Sequence, residues 1–223
     1  MNLFISAIAP VCIIIFYVYS KDKYEKEPRL LLLYNFLLGA IVSVFITTLI
    51  YIFYDKLLPL DHASVFQMFI KAFFVVGLTE EFSKYVIVRY FAQPKRDFNE
   101  PYDGIMYTIM VGMGFAATEN IFYVIEGGYT TALLRAFTAV PAHASFAILM
   151  GYFMGKAKFA KHKAALNLLG LLLATIFHGS YDFFLFIDFI PGISTGAFIS
   201  LFLGIFLSQK AIKLHQENSH FKV

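Results

Sequence analysis

Four stretches of otherwise apolar sequence carry side chains that could move protons or bind a metal. The first holds Gly77, Glu80, Glu81 and Lys84. Glu80 and Lys84 are four apart and share a helical face, while Glu81 is turned from Glu80 by about 100°. Neighbouring carboxylates in a low-dielectric place repel unless a cation or metal offsets them, and Lys84 could be that cation. A buried ion pair that only fixed packing would need one glutamate, not two. The second stretch holds Gly112, Gly114, Phe115, Glu119 and Asn120; small residues let helices approach, and Phe115 and Glu119 share a face. Glu119 alone reads equally as an acid that hydrogen-bonds a neighbouring helix.

The third stretch carries Arg135, Pro141 and His143. Pro141 removes a helix hydrogen bond and predicts a bend beside His143. Arg135 falls near a helix mouth, where it could simply snorkel. The fourth pairs His178 with Asp182 at i, i+4, so the carboxylate can orient the ring. Taken singly, His143 reads as a structural hydrogen-bond partner, whereas for His178 with Asp182 a local bond closing a helix end is the lesser alternative to a tuned ring. His62, His162, His215 and His220 fall in links or the tail and need no special role, and Glu126 reads as solvated.

Hydrolysis of a peptide bond needs a base for water, stabilisation of an oxyanion and a proton for the leaving amine. Two histidines and a glutamate can hold a zinc-type ion with one position left for water; Glu119, His143 and His178 form such a set, with Glu80 as base. Without metal, Glu80 could activate water with histidine assistance while His178 and Asp182 support the oxyanion. No His-Glu-x-x-His motif is present, and residue types alone do not choose between the two.

The elements that position these groups are helices in lipid. Of 223 residues, 59% are hydrophobic and 15% charged, against roughly 45–50% and about 25% in soluble domains. Spans of about 20 apolar residues divide the chain into approximately 2–20, 30–54, 66–92, 105–125, 132–155, 164–187 and 193–211. This predicts an all-α, polytopic transmembrane helical bundle of about seven spans, a single domain over 1–223 embedded in the lipid bilayer. The first run lacks a charged lead-in and reads as a retained span rather than a cleaved signal. Basic residues occur without a nucleic-acid recognition module, and a single cysteine, Cys12, allows no internal disulfide.

Loop charge orients the bundle. Lys21, Lys23, Lys26 and Arg29; Arg89, Lys95 and Arg96; Lys156, Lys158, Lys161 and Lys163; and Lys210, Lys213 and Lys222 make fourteen of the eighteen basic residues on one side. Basic loops stay cytoplasmic, so the amino terminus is expected outside and the carboxyl terminus inside. At about 1.5 Å per residue, Glu80, Glu119, His143 and His178 then fall in one slab about 10–21 Å from the outer helix ends. Independent structural pairs would not need to agree in depth.

In order and helix placement, Glu80, Glu81 and Lys84, then Gly114, Phe115, Glu119 and Asn120, then Arg135, Pro141 and His143, then His178 and Asp182 resemble the PrsW family of bacterial membrane proteases. The resemblance runs over nearly the whole chain. It implies a multi-pass protein of the bacterial cell membrane, acting as a site-1 protease on a single-pass anti-sigma factor at its extracytoplasmic side and so starting a cascade that releases a sigma factor. It also implies that Glu80, Glu81 and His178 are essential; Lys84, Asn120 and Asp182 join them as candidate catalytic side chains. The CAAX-prenyl protease and bacteriocin-immunity group is more distantly similar. There an arginine follows the glutamate pair and a histidine stands in the second motif, places held here by Lys84 and Glu119. A proton-coupled transporter, which also uses intramembrane acids and histidines, and a non-enzymatic scaffold or immunity protein are the alternatives.

Overall fold

The computed structural model describes residues 2–57 and 64–222; His62 lies outside them. The described residues form an all-α polytopic bundle: α1 (Leu3–Lys21), α2 (Arg29–Leu57), α3 (65–92), α4 (Pro101–Phe137), α5 (Ala139–Phe159), α6 (Lys163–Phe186) and α7 (Thr195–Glu217). Helices α1, α2, α6 and α7, and the run joining α4 to α5, are long and apolar enough to cross a bilayer. Helix α3 has comparable length but carries Lys71, Glu80, Glu81, Lys84 and Arg89.

Burial follows from the bilayer as solvent. Helices α1 and α2 turn Phe4, Ile13, Phe16, Phe45 and Phe53 outward, a loss in water but not against acyl chains. The inner pair is α4 over 101–117 with α5, both buried on nearly all sides. Lipid gives little hydrophobic drive between helices, so close packing at small residues carries the association; Gly104, Gly112, Ala147 and Gly151 line this contact.

Two backbone features set the site. Helix α3 widens into a π turn over Lys71–Gly77, directly before Glu80, and such turns often mark functional positions. Within that turn α3 meets α6 at close range: a Cβ at Gly77 would lie 3.1 Å from the Gly179 nitrogen, and one at Gly179 would lie 2.6 Å from the Phe73 ring. Only glycines permit this approach, which sets the two glutamates beside His178.

The second feature is Gly128, whose φ of 67° lies in the left-handed region. A straight helix would separate Glu119 from Arg135 by about 24 Å, yet their side chains touch. The chain therefore folds back at Gly128, and Val124 and Ala132 from the two limbs pack together on Ala7.

Helix ends depart from the apolar pattern in three places. The first limb of α4 ends at Gly128, within the expected link, but the second limb stops at Phe137 and the chain breaks again at Thr138 (φ −123°, ψ −81°), inside the span expected over 132–155. Pro141 consequently sits in the first turn of α5, where its missing N–H costs nothing; the bend expected there does not occur. Helix α7 continues past 211 to Glu217, and His215, expected in the tail, is buried and bonded to the Tyr152 carbonyl at 2.8 Å. Tertiary contacts thus split one apolar run and extend another.

Candidate active site

Glu80, Glu81, His143 and His178 each offer a ligand atom within 4.8 Å of the others, and all four are buried. Lys84 lies among them. Its Nζ is 2.6 Å from Glu81 Oε1, 3.4 Å from Glu80 Oε2 and 3.5 Å from His143 Nδ1, and it sits 4.2 Å from the centre of the Phe115 ring. The ammonium is the counter-charge expected for a doubled glutamate.

Both imidazoles are held from behind. His143 Nε2 lies 2.8 Å from Glu119 Oε2, and a carboxylate there requires Nε2 to carry the proton. The Nδ1 lone pair then faces Lys84 and the cluster. His178 Nε2 lies 3.3 Å from Asp182 Oδ2, and its Nδ1 lies 2.9 Å from Glu81 Oε1. Phe146 stacks on His178 with centroids 4.9 Å apart, and the two imidazoles meet edge-on at 5.2 Å. The rings have little freedom to swing.

Glu119 therefore stands one step behind the converging set, since Arg135 Nη2 also takes its Oε2 at 2.8 Å. Arg135 does not simply snorkel: it pairs with Glu119, donates to Asn120 Oδ1 at 2.7 Å and covers the Tyr123 ring. Asn120 is fully buried and points elsewhere, its amide donating to the Ala7 carbonyl at 2.7 Å. It ties α1 to α4 and lies outside the cluster. Glu126 is exposed.

A cavity of about 630 Å³ opens on this constellation, lined among others by Tyr51, Glu80, Glu119, His143, His178 and Asp182. Tyr51 was not singled out among the sequence motifs. Its hydroxyl donates to Glu80 Oε1 at 2.8 Å. Below it on α2, Ser43 and Thr47 bond Ser83 of α3 at 2.6 and 3.1 Å. Polar residues at 43, 47 and 51 form an i, i+4, i+8 face on an apolar helix, and that spacing was the available signal.

A metal fits this donor set. Two carboxylates and two imidazoles already surround a cation, and Glu81 Oε2 is buried without a hydrogen-bond partner. His and carboxylate donors in this number suit a zinc-type ion.

A helical membrane bundle that gathers acids, histidines and an open cavity in one place holds the groups that a membrane-embedded hydrolase needs. Residues 27–208 match the model of the PrsW family intramembrane metalloproteases, and the chain belongs to that family. It is 37% identical to Protease PrsW of Geobacillus kaustophilus over 82% of this chain and 80% of the relative. It is 37% identical to Protease PrsW of Bacillus subtilis over 81% of each, and 35% identical to that of Clostridioides difficile over 85% of this chain and 81% of the relative. No solved structure matches the chain. The chain is a membrane-embedded protease, and the transporter and scaffold readings fall away.

Proposed function

We propose that this protease makes the first, extracytoplasmic cut in a single-pass membrane regulatory protein of the anti-sigma type, starting the release of a sigma factor. The observation that carries the reading is the place of the cavity. Its rim residues Tyr51, Lys71, Thr138 and Phe186 lie at the end of α2, the start of α3, the α4–α5 break and the end of α6. That is the end of the bundle away from the basic clusters, and basic loops face the cytoplasm. A cut made there falls on the outer side of the bilayer.

The chemistry we assign begins at Glu80. Held by the Tyr51 hydroxyl at Oε1, its carboxylate takes the proton of the attacking water and passes it to the leaving amine. Glu81, His143 and His178 are the residues that would hold zinc. When bound, the ion supplies Lewis acidity to the scissile carbonyl and to the attacking water. Glu119 and Asp182 fix the histidine rings through Nε2, as carboxylates behind metal-binding histidines do. Lys84 balances the paired glutamates, and Phe115 and Phe146 keep bulk water from the rings. Asn120 acts through Arg135 and α1 as a positioning residue.

The test is co-expression with tagged single-pass anti-sigma candidates. Wild type should yield an extracytoplasmic cleavage fragment and Glu80→Gln none; equal processing by both would overturn the assignment of the base.

A further inference from the structure

At the opposite end of the bundle a second group of carboxylates gathers, which the proteolytic site does not use. Glu25 and Glu27, in the link between α1 and α2, and Asp103, in the first turn of α4, each bring an oxygen within 4.8 Å of the others. Asp22 and Glu100 stand beside them. Glu27 and Asp103 are buried, at 2% and 1% exposure.

The group is short of partners. Each of the three spends one oxygen on holding itself: Glu27 accepts from the Tyr107 hydroxyl, Glu25 from Asn99 Nδ2, and Asp103 from the Asn99 and Glu100 backbone amides. Glu27 Oε1, Asp103 Oδ1 and Glu25 Oε2 are buried with no donor from another residue, as are both Asp22 carboxylate oxygens and the neutral Asn99 Oδ1, and Glu27 and Asp103 face each other within hydrogen-bonding reach. Among the described residues no lysine or arginine lies within ion-pairing distance of Glu25, Glu27 or Asp103. Lys26 is the nearby ammonium, and it donates to the Tyr19 and Asp22 carbonyls instead. Desolvation by burial is accordingly the largest influence on Glu27, pushing its carboxyl up to about 10, and on Asp22, pushing it up to about 7.

Buried carboxylates persist when they are paired or coordinate a metal. This donor set is all oxygen, without histidine or cysteine, which selects hard cations over zinc. The geometry points to a second, structural cation site at this end of the bundle, in which Glu25, Glu27 and Asp103 bind a divalent ion of the magnesium or calcium kind and clamp the α1–α2 link to the start of α4. A proton shared between Glu27 and Asp103 is the competing way to relieve the same repulsion.

The test uses the whole purified chain in detergent, stripped with EDTA, its helix unfolding followed by circular dichroism. Magnesium chloride and, separately, calcium chloride are added to about 10 mM, with sodium chloride at matched ionic strength as reference. Saturation of a native-state site should raise the unfolding midpoint by about 5 °C or more, and a larger shift with one salt identifies the preferred ion. The shift should survive in His143→Ala, which alters only the proteolytic cluster. In Glu25→Gln, whose half-buried side chain is the least risky to change, the cation concentration needed should rise about tenfold or more. Two results would overturn the proposal: no response beyond sodium chloride, or an equal response in Glu25→Gln. A rise in the cation-free midpoint of Glu27→Gln, beside a wild type indifferent to both salts, would assign the pair to a shared proton instead.

Discussion

The Tyr51 hydroxyl donates to Glu80 Oε1 at 2.8 Å from a helix that carries none of the charged motifs. This bond fixes one oxygen of the carboxylate and leaves Oε2 facing Lys84 and His178 at 3.4 and 3.9 Å. Tyr51→Phe keeps the ring but frees the carboxylate, so turnover should fall about 10–100-fold, in keeping with a charge-assisted hydrogen bond of about 1.5–3 kcal/mol. Steady-state cleavage in reconstituted vesicles should show the loss in kcat with KM little changed.

The adjacent glutamates should separate by function. Glu80→Gln removes a base and should cost about 10²–10⁴-fold in rate while the purified protein keeps its metal. Glu81→Gln should abolish cleavage and lower the metal content together. Elemental analysis of both variants, with activity after treatment by a zinc chelator, checks this. Equal metal content in the two would remove Glu81 from the ligand set.

Glu119 has a graded role. Glu119→Gln can still bond His143 but no longer compels its tautomer or neutralises Arg135. Metal affinity should weaken about 10–100-fold, as for other partners behind metal-binding histidines. Cleavage should return in part when zinc is raised. A loss that zinc does not rescue would instead place Glu119 among the groups that act on substrate.

Gly179→Leu should inactivate without touching a polar group, because its side chain would drive α6 away from Phe73 and α3. Asn120→Ala should act differently. It leaves the Ala7 carbonyl and Arg135 short of a partner and should lower thermal stability by about 1–3 kcal/mol with a smaller effect on turnover per folded molecule. Unfolding curves read alongside kinetics separate the two cases.

Much of the protein was legible in the chain itself. The bundle follows from run length and apolarity, because a segment in lipid must satisfy its own backbone hydrogen bonds and only a helix does so alone. Charged residues in such runs are costly, so Glu80, Glu119, His143 and His178 stood out by type, and helix rise placed them at similar depth. Tertiary structure decided which atoms meet. The sequence pointed to Glu119 as the ligand beside the two histidines, whereas the fold-back at Gly128 brings Arg135 onto Glu119 and the fold sets Glu81 among the histidines instead. The place of Pro141 in a first turn, the reach of Tyr51 to Glu80 and the Gly77–Gly179 approach were likewise hidden. Periodicity describes one helix at a time, whereas these contacts depend on how helices rotate and cross, and packing between neighbours settles that.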